Sequence, residues 1–187
     1  MSTDITPKNI YKRGELSPGN EAELQALLRE TEPISIISCT ELVIGSWHRI
    51  AGRTRRHDLV AYISDYKACL TWFIHSGGLD YKMEIPISSI VSTEFVHSTH
   101  PGQGVASFYL AKRPTFYMGA GNSAWQVCDD WTEDRQASQI IKHQLIGNSV
   151  ELNHAIRVIE ARRKGLGRPI QIPQLPVLNF PPASQVQ

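Results

Sequence analysis

The amino-acid sequence predicts an α+β fold, a curved antiparallel β-sheet or partly open barrel of about seven strands, capped by C-terminal helices. Two observations predict the sheet. β-Branched residues and an apolar alternation of period two dominate about eighty positions from Ile34, and short turn-forming segments divide that stretch. A third observation predicts the helices, because the apolar spacing becomes helical after Asp130. The short connections indicate that successive strands are antiparallel neighbours.

The length and composition fit a single globular domain with two tails. The chain has 187 residues, of which 41% are hydrophobic and 20% are charged, and its formal net charge is +1. A chain of this size can form one stable core, and a nearly neutral surface excludes binding driven by a uniform charge. We expect an N-terminal arm at residues 1–19, one domain at 20–164, and a proline-rich tail at 165–187.

The cysteines and the N-terminus predict a nuclear or cytoplasmic protein. Cys39, Cys69 and Cys128 are far apart and form no C-x-x-C pair, so we expect neither a disulfide framework nor a zinc site. The first residues lack the apolar core of a secretory signal. No stretch approaches the roughly 18 apolar residues of a membrane span, so no membrane span is expected.

The first predicted element is a helix from Asn20 to about Glu30. Asn20 is a good N-cap, and Glu23 stands three residues later, where a capping-box partner belongs. Pro33 ends the helix. One apolar stripe is formed by Leu24, Leu27 and Leu28.

The strand pattern then recurs in seven segments. They are residues 36–47, 59–64, 69–75, 81–85, 90–97, 105–111 and 115–118. Glycine, proline and short polar residues separate them and favour tight turns. These separators lie at Gly52 and at residues 65–67, 76–78, 86–89, 100–102 and 112–114.

Two C-terminal helices are predicted after the strands. Thr132 begins the first, with acidic residues in its first turn that suit the helix dipole, and Ile140, Ile141 and Leu145 share one face. Ser149 begins the second, which runs to about Lys164 and carries apolar residues at helical spacing.

This order of elements resembles the pleckstrin-homology-like superfold, in which a terminal helix plugs one end of a bent sheet. The presence of two C-terminal helices instead of one is a departure from that pattern. A lipocalin-like or other small barrel is the structural alternative. Because one superfold supports many functions, the resemblance predicts shape and not activity.

No motif in the chain predicts catalysis. The segment 119–124 matches G-x-G-x-x-A, but it follows a late antiparallel strand and no βαβ unit, so we interpret it as a hairpin turn. His97 and His100 are too few to bind zinc alone, and Cys128 precedes two acidic residues that suppress a thiolate. We therefore expect no catalytic residue, metal or cofactor.

The most distinctive charged segment is residues 47–57, which contains four arginines, two histidines and no acidic residue. On a loop it would form a positive patch with an aromatic side chain at its base, suited to nucleic acid, lipid headgroups or phosphopeptides. The alternative is a solvated loop whose arginines pair with Asp58 or Asp65. The candidate ligand-binding residues are Trp47, Arg49, Arg53, Arg55, Arg56 and His57.

A second basic group lies at the end of the last predicted helix. Its members are Arg162, Arg163 and Lys164. A binding role would require this group to face the same way as the first patch. The alternative is that these cations complement the helix dipole and increase solubility.

Several segments together resemble a domain of transcription-associated regulatory proteins of filamentous fungi. They are residues 45–49, 58–62, 81–87, 114–118 and 125–137, and the resemblance covers about residues 35–163. It implies a non-enzymatic nuclear role in gene regulation, with nucleic acid or a regulatory protein as the partner. No zinc cluster, homeodomain or basic zipper accompanies it, so no recognised element reads DNA sequence.

Three functional hypotheses follow. The first is a regulatory binding module that engages an anionic partner, nucleic acid above all, through Arg49, Arg53, Arg55 and Arg56. The second is a protein or peptide adaptor that uses an exposed sheet edge, with phosphoinositide binding as a related option. The third is a small-ligand carrier or hydrolase, which needs an enclosed pocket of about 300 Å³ or more. Homo-oligomerisation is compatible with all three.

Overall fold

A computed structural model describes residues 18–53 and 57–165. The predicted arm and tail lie almost wholly outside the described residues, so the division into arm, domain and tail stays a prediction. The helices are α1 (Pro18–Leu28), α2 (Gln136–Gln139) and α3 (Ser149–Arg163). The strands are β1 (Ser35–Ile37), β2 (Glu41–Ile44), β3 (Trp47–Ile50), β4 (Leu59–Ser64), β5 (Cys69–Ser76), β6 (Leu79–Pro86), β7 (Ile90–His97), β8 (Gln103–Leu110), β9 (Thr115–Ala120), β10 (Gln126–Cys128) and β11 (Lys142–Asn148).

The strands form two antiparallel sheets. The six-stranded sheet has the order β1-β4-β5-β6-β9-β10, and the five-stranded sheet has the order β3-β2-β11-β8-β7. All the pairings are antiparallel, which confirms the predicted curved antiparallel β-structure with a helix after it. The sheets do not close into a barrel.

Side chains of both sheets and of α3 form one apolar cluster. Trp72 on β5 and Phe108 on β8 bring the two sheets together, with their ring centroids 5.5 Å apart. The inner face of α3 adds Leu152, Ile156 and Ile159. Asn148 caps this helix, since its side chain accepts hydrogen bonds from the N–H groups of residues 150 and 151. Burial of these apolar side chains holds α3 on the sheets.

The predicted N-terminal helix is confirmed as α1, and it covers the outer face of the six-stranded sheet. Leu24 and Leu28 are buried against that face, where they form a second apolar cluster with Val60, Tyr62 and Phe73. The six-stranded sheet is therefore buried on both faces near its centre, which explains why every residue of β4 is buried.

The structure differs from the predicted elements in two places. The long first strand, 36–47, is split into β1, β2 and β3, and β10 is an additional short strand. The helix predicted from Thr132 is wrong: after a short helical turn the chain becomes β11, which pairs with β2 and β8. Pairing on both sides overrides the local helical signal, and the side chains of β11 alternate between inward and outward.

No helix in the described ranges has both the length and the apolar character needed to cross a bilayer. Likewise, no group of three or more His, Cys, Asp and Glu side chains in residues 18–53 and 57–165 is arranged to hold a metal ion.

Candidate functional site

The β2–β3 hairpin is anchored to the segment that follows β10. Its two turn residues are Gly45, with φ of +61°, and Ser46. A Cβ at Gly45 would lie 2.4 Å from Oε1 of Gln136 and would have to displace it, and the positive φ also favours glycine there. The Ser46 N–H and hydroxyl both donate to that Oε1, at 2.8 and 3.1 Å. These bonds hold β3 against the loop that contains Trp131.

β3 is an edge strand of the five-stranded sheet. The two-residue turn and the bond from Ala51 N–H to the Thr40 carbonyl (2.8 Å) fix which backbone groups face β2. The N–H and C=O groups of His48 and Ile50 consequently point away from β2. Both side chains are exposed, and Ile50 retains 65% of its accessible surface. The edge therefore offers unpaired backbone groups beside an exposed apolar side chain.

A pocket of about 280 Å³ lies beside this edge, between β3 and the ends of β5 and β6. Trp131 stands at its centre, with ring centroids 5.8 Å from Trp47 and 5.4 Å from Tyr81. The pocket is a cleft and not the enclosed chamber that a carrier would need. It is lined by Trp47, His48, Arg49, Ile74, Ser76, Tyr81 and Trp131.

A network around Asp130 holds Trp131 in place. The Asp130 carboxylate accepts hydrogen bonds from the N–H and hydroxyl groups of both Thr132 and Ser138, at 2.6 to 2.8 Å. Thr132 Oγ1 in turn accepts from the Ala137 N–H at 3.0 Å. The backbone on both sides of Trp131 is thus fixed, and its ring packs against Trp47, Tyr81 and Phe116.

Two nitrogen atoms at the pocket are buried and lack a hydrogen-bond acceptor within the described part of the chain. They are Nε of Arg49 and Nε1 of Trp131. Arg49 donates from Nη2 to the His75 carbonyl at 2.8 Å, and the same atom lies 3.7 Å from Asp58. Both unpaired nitrogens belong to groups that can only donate.

A polar chain connects the pocket to α1. Nδ1 of His75 donates to Asp80 at 2.5 Å, and Asp80 accepts from Arg29 at 3.0 Å. Arg29 also donates to the carbonyls of Gly121 and Ser123, at 2.5 and 2.6 Å. These two residues lie in the G-x-G-x-x-A segment, which joins β9 to β10 as the predicted hairpin turn. Arg29 thus ties this turn to the end of α1 through its carbonyl oxygens.

A second polar cluster lies on the opposite face of β6, under α1. Lys82 is 2% exposed and donates to Glu84 at 2.7 Å. Tyr62 and Lys67 both donate to Glu30, at 2.8 and 3.0 Å. Burial lowers the pKa of Lys82, although Glu84 opposes the shift, and burial together with Glu30 raises the pKa of Tyr62 well above its usual range. Each of these groups has a partner.

The thiols of Cys39 and Cys128 both have raised pKa values. Burial raises the pKa of the Cys39 thiol to about 12, and burial with the neighbouring carboxylates of Asp129 and Asp130 raises that of Cys128. All three cysteines are free. Raised pKa values keep the thiols protonated at neutral pH.

The candidate residues of segment 47–57 are separated by the fold. Trp47 and Arg49 line the pocket, whereas Arg53 lies beyond β3 on the exposed loop. His57 has a positive φ of 65° just before β4. Arg55 and Arg56 lie outside the described residues.

The second basic group lies at the end of α3, where two of its members make contacts within the chain. Arg162 Nε donates to Asp65 at 2.7 Å. Arg163 donates to Glu160 and to the backbone carbonyls of Ile90 and Val91. Lys164 is exposed after the helix. A binding role for this group stays a prediction.

Sequence reasoning did not single out Tyr81 and Trp131 as site residues. They come from distant parts of the chain, and only the pairing of the sheets places them beside Trp47. The local signal for Trp131 is its position directly after Asp130, in a loop with residues that can cap backbone groups.

Comparison with known proteins agrees with this architecture. The TRF2/HOY1 PH-like domain model matches residues 36–153. The chain is 34% identical over 115 residues to pyriculol/pyriculariol biosynthesis cluster transcription factor 1 of Pyricularia oryzae, covering 60% of this chain and 18% of that protein. It is 26% identical over 195 residues to homeobox transcription factor phx1 of Schizosaccharomyces pombe, covering 89% of this chain and 20% of that protein.

The chain thus spans about one fifth of the length of these curated relatives. Their names describe transcription factors of fungi, as the sequence resemblance predicted, and the matched region contains both sheets and the start of α3. The chain belongs to the TRF2/HOY1 PH-like domain family.

Proposed function

We propose that this domain is a non-catalytic module of a nuclear transcription regulator and that it binds an extended segment of a regulatory protein along β3. The observation that carries the proposal is the unpaired edge of β3, which lies beside an aromatic cleft. The relatives' names support the transcriptional setting. An extended segment that pairs with a sheet edge gains main-chain hydrogen bonds, and a neighbouring pocket selects its side chains.

The opposite edge of the same sheet supports this assignment. On β7, Arg163 of α3 donates to the carbonyls of Ile90 and Val91, and Thr93 donates to Glu160 at 2.6 Å. These contacts occupy the first part of β7, residues 90–93, and disfavour pairing with another chain there. At β3, Arg49 reaches the His75 carbonyl instead, and the backbone groups of His48 and Ile50 have no strand partner in the described ranges.

The second candidate partner is nucleic acid, which is favoured by the arginines at positions 53, 55 and 56. The ion pairs weigh against it, because binding along a phosphate backbone needs several cations available on one face. Many described cations already pair with carboxylates of the chain: Arg29 with Asp80, Lys67 with Glu30, Lys82 with Glu84, Arg162 with Asp65 and Arg163 with Glu160.

A proline scan of the two edges tests the proposal. Peptides selected from a randomised library on the wild-type chain would be measured against Ile50→Pro and His97→Pro. Both residues lie at outward-facing edge positions, so neither substitution removes a bond within the sheet. We expect Ile50→Pro to weaken binding by roughly tenfold or more, because it removes an N–H and blocks the edge. The His97→Pro control should bind like the wild type.

Random-sequence duplex DNA is the competing probe. The chain would be a nucleic-acid binder, and not a peptide binder, if two results were obtained. Its affinity for DNA would have to fall steeply with salt, and charge reversal of Arg53, Arg55 and Arg56 would have to abolish the binding. Selected peptides that bind both proline variants equally well would also contradict the proposal. Thermal unfolding of each variant verifies that it is folded.

A further inference from the structure

We infer that the outer face of the five-stranded sheet is a docking surface and that the chain's own C-terminal tail occupies it, with residues 170–180 lying across the strands. The outer face of the six-stranded sheet already has a cover of this kind in α1, which Leu24 and Leu28 hold in place. The inference does not depend on the peptide binding proposed for β3, because it concerns the face of the sheet and not its edge.

A row of mainly apolar side chains crosses this outer face. The side chains of β11 alternate, so that His143 and Leu145 point into the core and Ile146 points outward. Residues that lie directly opposite each other in an antiparallel ladder share a face. The pairings therefore place one residue of each strand in an outer row, which consists of Ile50, Glu41, Ile146, Val105 and Val96.

The outer row is left open by the part of the chain that the structure describes. α3 packs on the other side of the sheet, where Leu152, Ile156 and Ile159 join the core. Ile50 and Val96 retain 65% and 46% of their accessible surface, and the three residues between them are partly exposed. A contiguous apolar row in water carries a hydration cost that a covering segment would remove.

The tail leaves α3 at the edge of this same sheet. Arg163, in the last turn of α3, donates to the Ile90 carbonyl of β7 at 2.6 Å, and Gly165, with φ of +73°, follows the helix. At about 3.3 Å per extended residue, the near and far ends of segment 170–180 can reach about 17 and 50 Å from Gly165. Val96 lies about 20 Å beyond Ile90 along β7, and neighbouring strands are about 4.8 Å apart. The segment is therefore long enough to cross the outer row.

The composition of the tail selects it as the occupant. Residues 169–187 contain no Asp, Glu, Lys or Arg, whereas segments that stay solvated are typically rich in charge and poor in large apolar side chains. Pro173 and Pro176 lack an N–H, which disfavours continuous pairing along a sheet edge and favours packing on a face. The large apolar residues of segment 170–180 are Ile170, Ile172, Leu175, Val177, Leu178 and Phe180.

The polar groups on this face suit an uncharged occupant. Glu41 lies 2.9 Å from Nδ1 of His48, and Glu94 accepts from the Tyr109 hydroxyl at 3.2 Å. Neither carboxylate therefore needs a cation from the covering segment. The tail supplies none between positions 169 and 187.

Methyl NMR of the full 187-residue chain tests the inference. The wild type is compared with a double tail variant, Ile172→Ser with Leu175→Ser, and with Val186→Ser, a matched control in the same tail but outside segment 170–180. We expect the methyl resonances of the outer row to shift in the double variant and to keep their positions in the control. The methyl groups of Val127, which is 73% exposed on β10 of the other sheet, should not move in either variant.

A synthetic peptide of residues 168–184 provides the second measurement. It should bind the double variant and return the outer-row resonances toward their wild-type positions. It should bind the wild type roughly tenfold or more weakly, because the wild-type tail competes at a high local concentration. On the sheet side, Val105→Lys introduced into the double variant should abolish peptide binding, whereas Val127→Lys should not. Thermal unfolding verifies that each variant is folded.

Three results would overturn the inference. The first is a set of outer-row resonances that are the same in the wild type and the double variant. The second is a peptide that binds both proteins equally well or that binds neither. The third is movement of the wild-type resonances to the double-variant positions on dilution, which would identify a second copy of the chain as the occupant. None of these results changes the outcome of the proline scan of the two edges.

Discussion

The two faces of β6 carry polar groups in opposite situations. On the face toward α1, Lys82 is paired with Glu84, and Glu30 nearby accepts from Tyr62 and Lys67. On the face toward the cleft, Tyr81 lies beside the unpaired donors of Arg49 and Trp131. The first cluster is shielded by a helix of the same chain, and the second borders a cleft. The difference separates polar groups that are paired within the fold from polar groups that have no hydrogen-bond partner among the described residues.

The largest expected effect is on the face of β6 toward α1, where the polar groups are paired. Lys82→Met removes the cation that neutralises Glu84 in a buried setting, where Tyr117 and Trp125 also contact the ammonium group, 4.9 and 4.8 Å from Nζ. We expect the free energy of unfolding to fall by about 3 kcal/mol, because the partly buried Glu84 carboxylate loses its nearest cation and is left with Lys67 at 3.7 Å. Urea denaturation measures this loss.

Lys112→Met is the matched control, since Lys112 is exposed in the β8–β9 turn. It should change the free energy of unfolding by less than about 0.5 kcal/mol. An equal decrease in the free energy of unfolding in the two variants would mean that the pairing of Lys82 under α1 contributes nothing to stability.

The same comparison shows why the sheet was more predictable than the site. The alternation of apolar residues in segments such as 69–75 and 105–111 fixes which side chains face inward, and glycine and proline turns fix their antiparallel order. β11 was not predicted from the sequence, for two reasons. A polar residue, His143, occupies a core position within it, and the spacing of Ile140, Ile141 and Leu145 also fits a helix. Its identity is decided by β2 and β8, which are far away in sequence.

His143 extends the comparison to the interior between the sheets. It is fully buried and accepts the Trp72 indole N–H at Nδ1, 3.1 Å away. Burial lowers its pKa to about 4 from an ordinary value of 6.5, although the carbonyls of Ala137 and Ile140 oppose the shift. A depressed folded-state pKa means that the unfolded chain binds the proton first as the pH falls, so stability is lost on acidification.

We expect protonation of His143 to lower the free energy of unfolding by about 3 kcal/mol as the pH falls from 6.5 to about 4. His143→Gln, which retains an acceptor for the indole, should lack that part of the pH dependence. Denaturation of both proteins over this pH range isolates the contribution. Identical pH profiles would show that His143 is not the titrating group.

The smallest expected effect is on the face of β6 toward the cleft, where the Trp131 indole N–H has no acceptor among the described residues. Trp131→Phe removes a donor that has no acceptor, whereas Trp125→Phe removes one that bonds the Leu28 carbonyl. The two substitutions remove similar ring area, so their difference reports the hydrogen bond together with the contacts of Arg29 and Lys82 with the Trp125 ring. We expect Trp125→Phe to cost about 1 kcal/mol more in unfolding free energy than Trp131→Phe. The opposite order would show that the Trp131 donor is satisfied in the free protein.

The sequence predicted only some of the residues that line the pocket. The basic segment drew attention to Trp47 and Arg49, and both line the pocket. The role of Arg49 differs from a simple surface cation, since it bridges β3 to the end of β5 through the His75 carbonyl. Tyr81 and Trp131 complete the pocket through tertiary packing, which no local pattern in a single sequence encodes.

The most direct measurement is residue-resolved amide hydrogen exchange with and without a peptide selected on the wild-type chain. The account predicts slower exchange on binding at the outward N–H groups of His48 and Ile50, with no change at Phe95 and His97 on the opposite edge. Protection confined to β7 or β10, with exchange at His48 and Ile50 unaltered, would contradict the assignment of β3 as the binding edge.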